Sequence, residues 1–176
     1  KTDAEIFDYF FLRWKQIINQ HGFDMASWGD VLSHNGTGNV DYGDIYPVFW
    51  NNVWGWGNEH QAYKFANQGK KEVLAHATNL YLDLAYNKHP DEIGYHWAGY
   101  TDTKKTFEYR PFNIYANAVK DKLGNPVPWD PKWVLLSETG KQNVQGIQAQ
   151  LFGENQKSPE ILDYMTFPKL LGAAER

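Results

Sequence analysis

Apolar side chains recur at helical spacing in the first part of the chain. They form one wide stripe, made of Ile6, Phe7, Phe10, Phe11, Trp14, Ile17 and Ile18. This period of three to four residues is typical of an amphipathic helix. Thr2 and Glu5 match a capping box, and Gly22 stands where a C-terminal cap belongs. The pattern predicts a helix over residues 2–21 with a buried stripe.

Four apolar segments further along predict β-strands: residues 23–28, 45–50, 72–84 and 144–152. Residues 33–45 and 51–57 are loops by composition. Asn58 caps a predicted helix over about residues 59–68, which Gly69 ends. A closing helix starts at Ser158-Pro159, and Pro168 must kink it or split it in two.

The spacing of these elements predicts an α/β fold. Strands separated by helices or long crossovers indicate a parallel sheet with helices outside. Such a sheet is normally buried on both faces, and four strands would leave two edges unpaired. A complete (β/α)8 TIM barrel takes about 250 residues, and 176 are too few once an irregular stretch at about 85–142 is discounted. We therefore interpret residues 1–176 as one domain, half of a barrel with a long insertion.

Composition excludes several functional classes. The net charge of −4 and the scattered Lys and Arg residues argue against nucleic acid as a partner. No apolar run reaches 18 residues, so we expect no membrane span. The sequence contains no cysteine, which excludes disulfides and thiolate metal sites but leaves the compartment open. No signal peptide precedes the first helix, and we expect the sequence to begin at a cut within a longer protein.

Aromatic residues are the compositional outlier. Eight Trp, eleven Tyr and ten Phe make up 16% of a chain whose mean hydropathy is only −0.64. Aromatic side chains on a polar chain serve either core packing or the recognition of flat ligands. The positions of these residues in the sequence distinguish the two roles.

Each predicted strand end carries one aromatic residue: Trp28, Trp50, Tyr81 and Phe152. A carboxylate or amide follows within one or two residues in each case: Asp30, Asn51, Asp83 and Glu154. Function in a TIM barrel lies at the C-terminal strand ends, so these side chains are expected to converge.

Tyr81 and Asp83 alternate with leucines, so both leave the same strand face. Together with Trp97 in the loop that follows, a hydroxyl and a carboxylate suit a sugar pocket. A buried strand with an ordinary surface loop explains this one segment equally well.

Other chemical motifs are weak. Asp91-Glu92 is an adjacent acidic pair, as a glycosidase requires, but it lies in a polar loop after Pro90, where ordinary ionised carboxylates are expected. Asp102, Lys104 and Lys105 are most simply a solvated, charged loop.

Neither a metal site nor a phosphate site is supported. The six histidines show no HExxH motif and no close pair on a helix face. His76 lies in an apolar segment and is predicted to be a satisfied core residue. Gly36-Thr37-Gly38 lacks the lysine and helix of a phosphate loop. We predict neither a metal nor a cofactor.

From about Asp8 to Arg176 the chain resembles the C-terminal half, about strands 5–8, of the catalytic barrel of β-N-acetylhexosaminidases, glycoside hydrolase family 20, in the chitobiase-like branch. The matching segments are residues 26–30, 49–51, 62–63, 66–69, 79–83, 91–97, 101–107, 146–154 and 167–176. The barrel would then be completed by another chain or by a missing N-terminal segment.

The resemblance implies a retaining exo-hydrolase that removes terminal β-linked N-acetylglucosamine or N-acetylgalactosamine. In this family the substrate's own acetamido oxygen attacks the anomeric carbon, which makes the family an exception to the two-carboxylate rule. An Asp-Glu pair at the end of the fourth barrel strand orients the acetamido group and protonates the leaving oxygen. That pair is expected upstream of this chain, and Asp91-Glu92 matches a chitobiase-branch loop instead.

Roles carried over from the resemblance fall on the strand ends. Tyr81 matches the tyrosine that binds the acetamido carbonyl oxygen. Trp28 and Trp50 match the walls around the acetamido methyl group.

The remaining matched residues contact other parts of the ligand. Asp83 and Glu154 match carboxylates that bind outer sugar hydroxyls, and Trp97 matches a platform for the next sugar. Phe152 departs from the family pattern Leu-Trp-x-Glu, in which a Trp occupies its place.

The expected partners are an N-acetylhexosamine-terminated oligosaccharide of the chitobiose type and the N-terminal half of the enzyme. Without that half the chain is expected to be inactive. The branch resembled suggests a periplasmic or secreted location. Two alternatives remain open: a non-catalytic carbohydrate-binding fragment, and an unrelated glycosidase that uses Asp91 and Glu92.

Overall fold

The computed structural model describes residues 1–32, 43–121 and 124–176. Most of the loop predicted over residues 33–45, including Gly36-Thr37-Gly38, lies outside the described residues. Four strands form one parallel sheet in chain order: β1 (Ala26–Trp28), β2 (Tyr46–Phe49), β3 (Glu72–Leu74) and β4 (Val144–Ile147). All three neighbouring pairs are parallel, as predicted. Consecutive parallel strands bring all C-terminal strand ends to one edge of the sheet.

Helix α1 (Asp3–Gln20) has the predicted capping box. The Thr2 amide donates to Glu5 Oε2 at 2.7 Å, and the Glu5 amide donates to Thr2 Oγ1 at 3.3 Å. Gly22 follows with a φ of +78°, a conformation that glycine adopts at little cost. Both ends of this helix are therefore confirmed.

The buried stripe predicted for α1 is wrong in extent. Phe11 packs with Met25 and Ile45, but Phe10 and Trp14 are 62% and 50% exposed. The stripe is wider than the surface that β1 and its neighbours offer within this chain. An apolar face of α1 is therefore uncovered in the described structure.

The strand predicted over residues 72–84 is also wrong in extent. β3 ends at Leu74, and the chain turns into the short helix α3 (Ala77–Leu80). Tyr81 then returns to the sheet as an isolated parallel bridge to Gln150. The Gln150 amide donates to the Leu80 carbonyl and the Leu82 amide to the Gln150 carbonyl, each at 2.8 Å. A continuous apolar run does not distinguish strand from buried helix, which explains the error.

The remaining predicted helices are present. Helix α2 (Gln61–Asn67) ends before Gly69, whose φ is +85°, but Asn58 is not its cap, because the helix begins later, after His60. Between α2 and β4 lie two further short α-helices, α4 (Thr103–Phe107) and α5 (Glu138–Lys141), and a 3-10 helix over Ile114–Asn117. The closing helix is split as predicted into α6 (Pro159–Thr166) and α7 (Lys169–Ala174), with Ser158 as the N-cap of α6.

The prediction of a solvated, charged loop at Asp102, Lys104 and Lys105 is wrong in two respects: the segment forms a helix, and Lys105 is half-buried. Asp102 caps α4 by accepting from the Lys105 amide at 2.7 Å. Lys105 is half-buried and its Nζ donates to the Tyr100 carbonyl at 2.7 Å. Asp102 and Lys104 remain exposed charges, and Lys104 lies 3.8 Å from Glu108.

Besides the cluster of Phe11, Met25 and Ile45 beneath α1, two apolar clusters support the sheet. The larger contains Tyr63, Leu74 and Tyr109. His76 lies beside it, fully buried, with Nδ1 2.7 Å from the Tyr109 hydroxyl. The prediction that His76 is a satisfied core residue is thereby confirmed. The smaller cluster is formed by Val53, Ala77, Tyr81, Leu84 and Ala98, with Trp50 and Phe152 packed against it. It lies at the C-terminal ends of the strands and forms the floor of the site described next.

Candidate active site

A pocket of about 230 Å³ opens at the C-terminal ends of the strands. Its lining residues are Trp50, Tyr81, Asp83, Tyr95, Trp97, Phe152 and Glu154. Every predicted site residue except Trp28 therefore lines one cavity. The predicted convergence of strand-end aromatics is thus present in the structure.

Trp28 is the last residue of β1 and lies at the rim of the pocket. Its ring centroid is 6.4 Å from that of Phe152, which in turn lies 5.1 Å from Tyr81. Phe152 thus contacts both Trp28 and Tyr81. The three rings form a continuous aromatic wall that a ligand could contact. Trp28 is 38% exposed, leaving part of its ring open to such a ligand.

Trp50 and Trp97 form the opposite wall. Their ring centroids are 5.8 Å apart at 78°, and Trp97 makes a similar edge contact with Tyr81 at 5.8 Å and 79°. Edge-to-face geometry is favourable for aromatic pairs. The Trp50 indole Nε1 also donates to Asp30 Oδ2 at 2.5 Å. Trp50 is therefore oriented by both a ring contact and a hydrogen bond.

Tyr81 is 5% exposed. Among the described residues, none hydrogen-bonds to its hydroxyl group, although Tyr81 lines the pocket. Burial raises the pKa of the Tyr81 hydroxyl well above its ordinary value, and the nearby charges of Asp83 and Asp30 raise it further. The hydroxyl is therefore neutral, and a ligand oxygen in the pocket can accept its hydrogen.

Asp83 is equally buried, and its Oδ1 accepts from the Phe152 amide at 3.3 Å. Burial raises the pKa of this carboxyl group, and the charge of Glu154 acts in the same direction. The Phe152 amide and the Lys169 ammonium lower it. Glu154 is itself exposed at the rim. The pocket therefore combines a desolvated carboxylate with a solvated one.

Two aromatic residues were not predicted from the sequence: Tyr95, which lines the pocket, and Trp56, which packs against the pocket residue Trp97. Tyr95 pairs with Leu84 through an isolated bridge, and Trp56 stacks on Trp97 at 5.9 Å and 19°. Gly94 makes the first contact possible: it has a φ of +117°, and a Cβ there would lie 2.6 Å from the Asp83 carbonyl oxygen. The glycine of the Gly-Tyr-His-Trp run indicated this contact, since a residue with a side chain could not approach the Asp83 backbone so closely.

Asp91 and Glu92 do not line the pocket. The Tyr164 hydroxyl lies 3.0 Å from both Glu92 carboxylate oxygens and donates to them, which ties this loop to α6. Asp91 is solvent-exposed and lies 3.8 Å from His89. The geometry assigns Glu92 to loop anchoring.

A larger cavity of about 590 Å³ lies nearby. Its lining includes His96 and Ala98, the neighbours of Trp97, but none of the residues that line the aromatic pocket. Within residues 1–32, 43–121 and 124–176, no group of three or more His, Asp or Glu side chains could hold a metal ion. None of the helices in those ranges combines the length and apolar character that crossing a bilayer requires.

Comparison with known proteins gives a consistent result. The chain is 31% identical over its whole length to a β-hexosaminidase of Vibrio vulnificus, and it spans 20% of that protein. It is 32% identical to an N,N'-diacetylchitobiase of Vibrio harveyi over 73% of this chain and 14% of that protein. The chain therefore spans about a fifth or less of the length of these curated relatives.

Solved structures with a similar fold include an enzyme of the same type. A crystal structure of a GH20 exo-β-N-acetylglucosaminidase from Vibrio harveyi, in complex with N-acetylglucosamine, superposes with a TM-score of 0.71 at 25% identity. The match covers 98% of this chain and 22% of that one. Since such neighbours are TIM-barrel enzymes, the predicted fold class, an arc of a (β/α)8 barrel, is confirmed. The family model for the catalytic domain of glycosyl hydrolase family 20 matches residues 1–176, and the chain therefore belongs to this family of glycoside hydrolases.

Proposed function

We propose that this chain forms part of an exo-acting, retaining β-N-acetylhexosaminidase that removes terminal β-linked N-acetylglucosamine or N-acetylgalactosamine from chitobiose-type oligosaccharides. Family membership and the names of the relatives support this reaction class. The observation that carries the proposal is the aromatic pocket with the unengaged Tyr81 hydroxyl at its floor.

The pocket residues suit an N-acetylated sugar. The rings of Trp50, Trp97 and Phe152 offer apolar surface for an acetamido methyl group and for sugar C–H groups. The neutral Tyr81 hydroxyl can donate to the acetamido carbonyl oxygen. A donor at that oxygen would orient it toward the anomeric carbon and stabilise the charge that develops during attack.

Asp83 and Glu154 would complete recognition by accepting hydrogen bonds from sugar hydroxyls at the pocket rim. Charged acceptors make the stronger hydrogen bonds of this kind. Substrate-assisted attack needs no enzyme nucleophile, so Asp83 and Glu154 are free to bind the sugar. We propose that the Asp-Glu pair that protonates the leaving oxygen lies outside this chain, in the N-terminal half of the same barrel.

The uncovered surfaces support such a partner half. β1 pairs with β2 only, and β4 pairs with β3 only, so both sheet edges are open in the described structure. Exposed parallel edges and apolar helix faces are normally covered in α/β proteins. A periplasmic or secreted location belongs to the same proposal, and cell fractionation tests it.

The decisive experiment joins the chain to the preceding barrel half of the longer protein and assays aryl substrates. We expect hydrolysis of an aryl N-acetyl-β-glucosaminide and at most trace hydrolysis of the matched aryl β-glucoside, which lacks the acetamido group. Equal rates on both substrates would contradict substrate assistance. If the reconstituted protein is inactive on both but the chain binds chitobiose, the alternative of a non-catalytic carbohydrate-binding fragment is correct.

A further inference from the structure

Lys169, the first residue of α7, has no solvent-accessible surface. Its Nζ donates to the Leu82 carbonyl oxygen at 2.9 Å and to the Leu84 carbonyl oxygen at 2.6 Å. The same nitrogen lies 3.7 Å from the centroid of the Tyr86 ring. An ammonium group has three donors and no acceptor. Two carbonyl oxygens and one aromatic face therefore satisfy it without water.

Burying a lysine in this way is costly unless the charge is well solvated by protein groups. Burial lowers the pKa of Lys169 to about 8, while the charges of Glu92, Asp83 and Asp102 raise it. The ammonium thus remains the main form at neutral pH. Lys169 is therefore a buried cation whose charge is solvated by protein groups.

The two carbonyl groups that Lys169 binds are those on either side of Asp83. The Leu82 carbonyl belongs to the peptide that precedes Asp83, and the Leu84 carbonyl belongs to the peptide one residue beyond it. The two bonds therefore hold the backbone on both sides of Asp83 and restrict the direction in which its side chain leaves. From the other side, the Phe152 amide donates to Asp83 Oδ1 at 3.3 Å. The ammonium also favours the ionised form of Asp83, whose pKa burial raises.

We propose that Lys169 is a positioning residue for sugar binding: through the Leu82 and Leu84 carbonyls it holds the backbone on both sides of Asp83, and so keeps an ionised carboxylate in the pocket. The proposal rests on the proposed function insofar as the pocket binds a sugar. It adds a residue outside the pocket to the set that determines substrate affinity.

The surroundings of Lys169 form a rigid frame for this role. The Tyr86 hydroxyl donates to the Tyr164 and Phe167 carbonyl oxygens at 3.0 and 3.1 Å, and Tyr164 in turn donates to Glu92. These contacts link the corner between α6 and α7 to the segment that carries Asp83. The α6–α7 corner therefore supports the pocket from behind.

The first test measures the carboxylate directly in this chain. Carbon-13 NMR follows the titration of Asp83, and amide hydrogen exchange follows Phe152, in the native chain and in the Lys169→Met, Lys169→Arg and Lys64→Met variants. Lys64 is an exposed lysine on α2 and serves as the matched control. We expect Lys169→Met to raise the pKa of Asp83 and to accelerate exchange at Phe152 by about tenfold, since a lost hydrogen bond to a charged group weakens the site by at least that factor.

Lys169→Arg keeps the charge and is expected to hold the Asp83 pKa near its native value, whereas Lys64→Met should change neither measurement. A purely structural role for Lys169 would lower the stability of both variants and leave the Asp83 titration of folded Lys169→Met unchanged; that result overturns the proposal. If Lys169→Met does not fold, the native chain decides. Lys169 loses its charge above about pH 8, so amide exchange at Phe152 should then accelerate more than exchange at Val53, which reports the general effect of pH. Equal acceleration at both amides overturns the proposal.

The second test uses the reconstituted enzyme. Lys169→Met is expected to raise KM for the aryl N-acetylglucosaminide by about tenfold and to change kcat less, because Asp83 binds a hydroxyl in the ground state. Several other titratable groups surround Lys169: Glu92, Asp83, Asp102, Tyr86 and Tyr164. Because they also titrate, the dependence of KM on pH is compared between the native and the Lys169→Met enzyme above pH 8. If the native enzyme is inactive while the NMR changes occur, the proposed function fails and the clamp at Asp83 stands.

Discussion

The indole Nε1 of Trp50 donates to Asp30 Oδ2 at 2.5 Å, and this bond links the segment after β2 to the segment after β1. A hydrogen bond to a carboxylate is short and strong. It restricts the plane of Trp50, which also meets Trp97 edge-on. The shape of the proposed acetamido pocket therefore depends on a carboxylate that does not itself line it.

Replacing Asp30 by alanine is expected to loosen Trp50 and widen the pocket. We predict a rise of about tenfold in KM for the aryl N-acetylglucosaminide, the loss expected for one hydrogen bond to a charged group. Asp30→Asn retains an acceptor and should lose less. Asp24→Ala, an exposed residue shortly before β1, is the control. Steady-state kinetics of the reconstituted enzyme measure the effect, and an unchanged KM in Asp30→Ala would show that the bond does not shape the pocket.

Removing the Tyr81 hydroxyl should affect turnover more than binding. The donor would stabilise charge on the acetamido oxygen in the transition state, and loss of one such donor costs about 10²–10³ in kcat. We therefore predict a fall of about a hundredfold in kcat for Tyr81→Phe, with the pocket shape preserved because the ring remains. Tyr9→Phe, which removes a tyrosine hydroxyl far from the pocket residues in sequence and keeps the ring, is the matched control. A Tyr81→Phe enzyme with native kcat contradicts the assigned role.

Glu92 should be dispensable for the chemistry. Its carboxylate accepts from Tyr164 and does not line the pocket, so Glu92→Gln is expected to keep most of the activity and to lower the stability of the loop slightly. Asp91→Asn, at an exposed position, should be silent in both measurements. Activity and thermal unfolding of the two variants check this. An inactive Glu92→Gln beside an active Tyr81→Phe would establish the unrelated glycosidase that the acidic pair first suggested.

The site could be predicted from the sequence because parallel strands bring their C-terminal ends together. Trp28 ends β1 and Trp50 directly follows β2, so their position at one edge of the sheet follows from topology. The strand predicted over residues 144–152 is wrong in extent, because β4 ends at Ile147 and Phe152 lies in the segment that follows it. Tyr81 also lies at this edge, although the strand predicted for it is wrong. Its isolated bridge to Gln150 keeps Tyr81 and Asp83 on the same side of the backbone, as the alternation predicts. Tyr95 was missed because a loop carries it, and loop paths depend on contacts such as that of Gly94 with Asp83.

The failures share one physical cause. Local periodicity reports which side chains are apolar but not which surface covers them. The α1 stripe is correctly located, but no described residue covers all of it, so Phe10 and Trp14 are exposed in the described structure. In the same way, the charged residues near Asp102 suggested solvent, while Lys105 is half-buried against the Tyr100 carbonyl. In both cases tertiary contacts decided the outcome.

The exposed face of α1 should be the surface that contacts the N-terminal barrel half. Phe10 and Trp14 stack on it with ring centroids 6.4 Å apart. Burying one such side chain stabilises an assembly by roughly 2–3 kcal/mol, so Phe10→Ser should weaken association with that half by at least about tenfold. Leu135→Ser changes an equally exposed apolar residue in the insertion and is the control. Titration calorimetry of the two halves measures the difference, and equal affinities of both variants would place the contact elsewhere.

Glu72 should make the stability of the chain fall as pH rises. It lies in β3 without accessible surface, and neither carboxyl oxygen has a hydrogen-bond partner among the described residues. Burial raises the pKa of Glu72 from 4.5 to about 9.

Between these two pH values the folded state retains a proton that the unfolded state has lost. The stability contributed by the protonated form is therefore complete below about pH 4.5 and is lost progressively up to about pH 9, by as much as roughly 1.4 kcal/mol per pH unit. The Glu72→Gln variant carries a permanently neutral group of similar shape at this position. We predict that it unfolds at the same urea concentration as the native chain at pH 4. At pH 7 it should be more stable than the native chain by roughly 3 kcal/mol. Glu175→Gln, at the exposed position that follows α7, should show no such pH-dependent difference. A constant difference between Glu72→Gln and native protein across this range would mean that Glu72 is ionised in the folded state.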